Sequence, residues 1–116
     1  MASYRFGDIV LINFPFADRN EEKRRPGLVL AEDPHGDLLL ARITSKRAEL
    51  PSDVTLTDWK SEGLNIPSSV RLLKLTTTQE SFVVRPLGHL TISDRLSVKN
   101  AFATFAERLG EEYQDL

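Results

Sequence analysis

A chain of 116 residues, 41% of them hydrophobic, has room for one domain around one core, so a single domain over 1–116 is expected. With no cysteine it can form neither disulfides nor Cys-based zinc or thiol sites, and no apolar run approaches the ~20 residues of a membrane helix. Fifteen Lys and Arg against seventeen Asp and Glu give a net charge of −2, which argues against a bulk nucleic-acid binder.

The N-terminus lacks the apolar stretch of a signal peptide, so a soluble, cytoplasmic protein with no membrane partner is expected. The charge distribution says more than the sum. Four acids (Glu107, Glu111, Glu112, Asp115) fall in the last ten residues, whereas bases cluster at Lys23-Arg24-Arg25 and again at Arg42, Lys46 and Arg47. Scattered charge for solubility and a local basic groove are both compatible with this pattern.

In chain order, Asp8–Pro15 is a β-branched, apolar run closed by proline and reads as a first strand. Phe16–Arg24 is charged and poor in apolar residues, which predicts a loop. Arg25–Glu32 reads as a second strand, with Pro26 tolerable only near a strand start or on an edge. Asp33-Pro34-His35-Gly36 carries turn chemistry, Asp37–Ser45 reads as a third strand and Val54–Thr57 as a short fourth. Trp59–Leu64 suggests a brief helical turn ended by Gly63. Two further strands, Ser69–Leu75 and Phe82–Leu90, flank a polar connection over Thr76–Ser81. From Ile92 the apolar residues recur at Leu96, Val98, Phe102, Phe105 and Leu109, near helical spacing. Thr91 with Asp94 resembles a capping box, and Gly110 suits a C-terminal stop. The expected fold is mainly β: a small antiparallel barrel followed by one amphipathic helix.

The second and third strands, joined by a tight turn, should pair antiparallel. A turn centred between Pro34 and His35 opposes Leu30 to Leu39, Leu28 to Ala41 and Arg25 to Thr44. Opposed side chains share one face with Cβ atoms about 4.5–5.5 Å apart. A bulge would shift the register by one. An arginine and a hydroxyl converging beside a basic segment suit the chemistry of an RNA phosphodiester. RNA carries its own nucleophile, the 2′-hydroxyl, so cleavage needs positioning, stabilisation of the charged transition state, and proton transfers. The planar guanidinium matches phosphate oxygens bidentately and stays cationic, and a threonine hydroxyl can donate to the same oxygens. Arginine is a poor general base, so the identity of the base stays open. The same pairing could equally be a structural cross-strand hydrogen bond.

The same residues carry a family likeness. Gly7-Asp8-Ile9-Val10-Leu11 with Phe14-Pro15-Phe16, Lys23-Arg24-Arg25-Pro26-Gly27-Leu28-Val29-Leu30, and Ile43-Thr44-Ser45-Lys46 come in this order. Leu56-Thr57-Asp58-Trp59 with Gly63-Leu64, Pro67-Ser68-Ser69-Val70-Arg71 with Lys74-Leu75, and Val84-Arg85-Pro86-Leu87-Gly88-His89-Leu90 follow. Together they resemble the MazF/PemK-like toxins of bacterial toxin–antitoxin systems over nearly the whole chain. The resemblance implies an SH3-like barrel with a C-terminal helix, a homodimer, and a sequence-selective endoribonuclease. Such an enzyme needs neither metal nor cofactor and leaves 2′,3′-cyclic phosphate and 5′-hydroxyl ends. The family's catalytic arginine and threonine fall on Arg25 and Thr44. RNA contacts are expected from Phe16, Lys23, Arg24, Ser45, Lys46 and Gln79. Gln79-Glu80 departs from the acid-then-base pair that relatives often carry after the Lys-Leu strand. The family also implies a cognate antitoxin whose acidic, extended segment blocks the RNA groove, with Phe16–Arg24 as its lid.

Other side chains have simpler readings. His35 and His89 are the only histidines, and neither is placed to act as an acid–base pair. Acids and histidines show no metal-ligand spacing. Phe14 could stack on a base but in a strand reads as core, Trp59 reads as core or dimer interface, and Val98, Phe102 and Phe105 as the helix's core face. Arg85, which precedes a proline as Arg25 does, reads as structural or as a phosphate contact. Two rival functions share the scaffold. CcdB-like toxins inhibit DNA gyrase and cut nothing, and SH3-like adaptors bind peptides in an aromatic groove. The Arg25-Pro26 and Thr44 motifs favour the nuclease over the first, and the scattered aromatic residues disfavour the second.

Overall fold

A computed structural model describes residues 3–15 and 22–111. Among these residues six antiparallel strands form one sheet in the order β4-β5-β3-β2-β1-β6, followed by a single α-helix. The strands are β1 (Asp8–Pro15), β2 (Glu22–Glu32), β3 (Asp37–Thr44), β4 (Asp53–Thr55), β5 (Ser69–Gln79) and β6 (Val83–His89), and the helix α1 spans Ile92–Glu107. This is the mainly β architecture with a C-terminal helix that the sequence predicts. The edge strands β4 and β6 are not paired with each other, so the barrel is open along that seam.

Two boundaries differ from expectation by three residues or more, and those of β3, β4 and β6 by one or two. Glu22–Arg24, expected in a loop, extend β2 and pair with Asn13–Pro15 of β1. The rest of that loop and lid, Phe16–Glu21, lies outside the described residues. Thr76–Gln79, expected in a connection, continue β5 and pair with Asp37–Leu40. Threonine's branched side chain suits a strand, and its polarity marks a solvent-facing row. The actual link to β6 is one 3-10 turn, Glu80–Phe82. Pro26 sits inside β2 but beyond the last β2–β3 pair, Gly27 with Arg42, where β2 has only β1 as a neighbour. Its missing N–H therefore costs no bond to β3.

Both faces of the central strands are covered, which is why their sequences are continuously apolar. Ile9, Leu28, Ala41, Ile43, Val70 and Leu72 bury against Leu56, Leu64 and Val98 of α1. The alternate residues Val10, Ile12, Val29, Leu38 and Leu40 form a second cluster under Tyr4 and Val83. Trp59 packs on the first cluster, in keeping with a core reading. The helix is less two-sided than expected. Val98 is buried and Phe102 packs inward, with Phe105 edge-on to it at 6.2 Å, but Ile92, Leu96 and Leu109 are exposed. Arg108 caps the helix, and Gly110 follows two residues later in the left-handed region (φ +84).

The seam between the sheet edges is filled by the turn after β4. Gly63 N–H bonds to Lys60 O (3.4 Å) and Leu64 N–H to Trp59 O (3.1 Å), the helical turn ended by Gly63 that the sequence suggests. This turn presses backbone to backbone on β6. A Cβ on Gly63 would stand 2.1 Å from Leu87 O, and one on Gly88 2.3 Å from Glu62 O. Gly63 also has φ +92. Gly63→Ala should therefore force the turn off β6 and cost about 2 kcal/mol or more, seen as a lower urea midpoint with an unchanged m-value.

Candidate active site

The open end of the β2–β3 hairpin is where the two predicted residues meet. The observed pairs Gly27–Arg42, Leu28–Ala41 and Val29–Leu40 keep the predicted register. A bulge at Leu30 shifts the pairing toward the turn, so Leu39 faces Ala31 instead of Leu30. The bulge lies on the turn side; the pairing itself ends at Gly27 with Arg42, and two residues further along Arg25 pairs with Ile12 of β1 and Thr44 with Ser69 of β5. Arg25 and Thr44 line one open cleft of about 390 Å³, with walls from Arg42, Ser45, Asn65, Ser68 and Arg85 and an apolar base including Leu11, Pro26 and Leu64.

The electrostatics of this cleft are one-sided. Among the described residues Arg25, Arg42 and Arg85 line it, no Asp or Glu does, and none of the three makes an ion pair. Each is exposed and free to meet a ligand. Thr44 is half-buried, and its Oγ1 accepts the Lys46 N–H at 3.2 Å. That bond holds the oxygen, and among the described residues the hydroxyl proton has no acceptor, so it is available to an anionic oxygen. Three fixed cations and a poised donor can bind and polarise a phosphodiester.

The other predicted contacts divide. Ser45 lines the cleft and, with Ser68, opens into a neighbouring hollow of about 380 Å³ lined by Lys46 and Arg47. Arg24 is exposed on β2, beside but not lining the cleft. Lys23 pairs through its backbone with Phe14, and its side chain, like all of Phe16, lies outside the described residues. Gln79 pairs with Asp37, whereas the first residue of β5, Ser69, pairs with Thr44. Ten residue steps place Gln79 roughly 30 Å from the cleft along β5. His35 and His89 line neither hollow. The sequence reading missed Arg42 and the 63–68 wall. Arg42 had a signal, since it lies two residues before Thr44 and so on the same side of β3.

A second polar cluster, unexpected from spacing, lies behind that wall. Asp58, Glu62 and Asp94 each offer an oxygen within 4.8 Å of the others. Thr91 caps α1, its Oγ1 accepting the Asp94 N–H (3.3 Å) and donating to Asp58 Oδ2 (2.7 Å). In a capping box Asp94 would return the bond to Thr91 N–H. Here Asp94 turns away: Oδ1 accepts from Thr57 N–H (3.2 Å) and O–H (2.9 Å), and Oδ2 from Asp58 N–H (3.1 Å). Glu62 Oε2 takes the vacated Thr91 N–H at 2.8 Å. Glu62 is 0% exposed and Asp94 1%. Burial, reinforced by the neighbouring Asp94, pushes the Glu62 carboxyl from 4.5 up to about 7 against the pull of the Thr91 N–H. Burial also works to raise Asp94, but hydrogen bonds from Asp58 N–H, Glu62 and Thr57 outweigh it and hold that carboxyl below its ordinary value.

Comparison with known proteins places this geometry in context. Solved structures of similar fold include a mycobacterial endoribonuclease in complex with its cognate antitoxin, 18% identical, TM-score 0.72, covering 88% of this chain and 93% of the other. The MazE–MazF complex of Deinococcus radiodurans is 21% identical with TM-score 0.72 over 92% of this chain and 98% of the other. The Mycobacterium tuberculosis toxin MazF-mt6 is 26% identical with TM-score 0.68 over 84% and 93%. No curated protein matches the sequence. No helix among the described residues is long and apolar enough to cross a membrane. The family model of PemK-like, MazF-like toxins of type II toxin–antitoxin systems matches residues 5–106, nearly all of the sheet and helix described above, and the chain belongs to that family.

Proposed function

We propose that the chain is a metal-independent, sequence-selective endoribonuclease, the toxin of a toxin–antitoxin pair that acts in the cytoplasm. The observation that carries this reading is the convergence of Arg25 and Thr44 with Arg42 and Arg85 on a cleft that, among the described residues, no carboxylate lines. The 2′-oxygen attacks phosphorus, the bond to O5′ breaks, and the products are a 2′,3′-cyclic phosphate and a 5′-hydroxyl. Arg25 stabilises the extra negative charge of the phosphorane-like transition state, and Thr44 O–H donates to the same oxygens. Arg42 and Arg85 hold the flanking phosphates, Ser45 and Lys46 follow the backbone into the neighbouring hollow, and Arg24 meets it beside the cleft. Charge stabilisation by the arginines and positioning of the 2′-oxygen carry the catalysis, and the 2′-hydroxyl gives up its proton to a base whose identity stays open.

The partner is a second copy of the chain in a homodimer, and an antitoxin whose acidic segment competes with RNA for the three arginines. The complexes of the mycobacterial endoribonuclease and of MazF with their antitoxins support that expectation. Gln79 stands outside this contact set and meets only RNA that runs beyond the cleft.

Purified protein incubated with a long RNA in EDTA should cut at a recurring short sequence and leave cyclic ends. RNA left intact while DNA gyrase supercoiling is inhibited would overturn the reading in favour of a gyrase-directed toxin. Binding of an uncleavable RNA should weaken with salt. A log–log slope of about −2 is expected for three neutralised phosphates on a single strand at about −0.7 each.

A further inference from the structure

We propose that Glu62 is a positioning residue of the cleft: it remains a neutral carboxylic acid that shares one proton with Asp94 and so pins the cleft wall to helix α1. The geometry requires some such neutralisation. Glu62 and Asp94 are both out of water, and their oxygens lie with one of Asp58 inside 4.8 Å. Two buried carboxylates cannot both keep their charge at that distance without a counter-ion. The groups around Glu62 provide none. On its own turn stand Asp58 and the exposed Lys60. From α1 come Asp94 and Arg95, whose guanidinium is turned to Gly7. From β6 come the uncharged backbone of Leu87–Gly88 and the exposed His89. No ion pair joins any of these bases to the three acids among the described residues.

The hydrogen bonds identify where the proton sits. Both oxygens of Asp94, Oδ2 of Asp58 and Oε2 of Glu62 already accept from donors. Of the carboxylate oxygens in this cluster, Glu62 Oε1 is the one that is buried with no partner among the described residues. A proton on Oε1 turns that orphan into a donor toward Asp94, whose carboxyl then carries the single buried charge. A divalent cation would instead need some six oxygens, and four of the cluster's carboxylate oxygens are already committed to backbone N–H or hydroxyl donors.

The consequence for the site runs through the chain. Gly63 follows Glu62, rests on Leu87 O and lines the cleft with Leu64, Asn65 and Ile66. Ionising Glu62 adds a second buried charge beside Asp94 and loosens the turn from α1 and β6. The link to RNA rests on the proposed function above, but the proton itself is testable without RNA.

The folded chain keeps this proton up to about pH 7, whereas an unfolded carboxyl releases it near 4.5. The folded state therefore binds more protons across that window, and stability falls as pH rises from 4.5 through 7. Glu62→Gln copies the neutral acid, accepting from Thr91 N–H and donating to Asp94. Between pH 5 and 8 the wild type should lose on the order of 10 °C in Tm relative to Glu62→Gln. Infrared difference spectra should show a protonated-carboxyl band in the wild type at pH 6 that fades by pH 8 and is absent from the variant. If the variant does not fold, the band in the wild type alone decides. Identical pH profiles, no such band, or a Tm that Mn2+ raises at pH 8 in the wild type but not in Glu62→Gln would each overturn the proposal. Where RNA is cut, wild-type cleavage should fall above pH 7 more steeply than that of Glu62→Gln. Equal falls would remove the positioning role, and no cleavage by either protein would count against the proposed function instead.

Discussion

Arg25→Ala should lower single-turnover RNA cleavage by about 10²–10³-fold, the loss expected when one preorganised donor to a developing oxyanion is removed. The protein should stay folded. Arg25 is exposed and makes no ion pair among the described residues, so its truncation should move stability by no more than about 0.5 kcal/mol. Affinity for RNA should drop less than the rate, because Arg42 and Arg85 remain in the cleft. Arg25→Lys tests the geometry of the fork: it keeps the charge but loses bidentate contact, and should recover binding better than turnover. Thr44→Val separates the hydroxyl from the shape of the side chain. It also strips the acceptor from Lys46 N–H, so its effect on rate should be read beside its melting curve. Arg42→Ala and Arg85→Ala should raise KM while leaving kcat within about tenfold, since they hold flanking phosphates in ground and transition state alike. Equal losses of kcat at all three arginines would instead mean that they act as one unit on a single phosphate. Cleavage by Arg25→Ala at the wild-type rate would remove the catalytic assignment altogether.

The legible part of this site was the part encoded locally. The turn Asp33–Gly36 fixes which residues of β2 and β3 face each other, and apolar residues opposite apolar ones fix the register, so Arg25 and Thr44 could be brought together by counting. The one slip, Leu39 facing Ala31, comes from a bulge at Leu30 that leaves no signature in a run of leucine and valine. Polarity misled where a strand faces solvent: Thr76–Gln79 looks like a connection because nothing buries that row, yet its branched residues pair with Asp37–Leu40. The placement of Gln79 failed for the same reason, since ending β5 four residues early hides how far its tip lies from the cleft. Glu62 and Asp94 were not legible. Each sits in a polar stretch that reads as surface, and they meet only because the seam between β4 and β6 is filled by the turn that carries Glu62. Thr91 and Asp94 did signal the helix start, but the signal cannot say that Asp94 would give up its capping bond to a glutamate 32 residues away.

That exchange of partners makes Asp94 the side chain with the largest expected effect on stability. Its carboxylate accepts three hydrogen bonds, two from Thr57 and one from Asp58 N–H, and it is 1% exposed. Asp94→Ala should leave two partly buried backbone donors and a hydroxyl without partners, while the start of α1 loses a favourable negative charge. About 3–5 kcal/mol should be lost, lowering Tm by on the order of 15 °C. Asp94→Asn should recover only part of this, because its amide can accept from Thr57 but sets a donor against Asp58 N–H. The acid limb of the stability profile gives an independent check. A carboxyl held below its ordinary 3.8 contributes stability above that pH and loses it as pH falls through the lowered value. Glu62, held above its ordinary 4.5, contributes in the opposite sense and loses stability as pH rises. The pair should therefore stabilise the fold most between about pH 3.8 and 4.5, with Asp94→Asn removing the acid limb and Glu62→Gln the limb near neutrality. In Asp94→Ala the Glu62 carboxyl loses both its acceptor and its charged neighbour, so its infrared band should fade at lower pH than in the wild type. A band that fades at the same pH would show that burial alone holds the proton, and that the two acids do not share it.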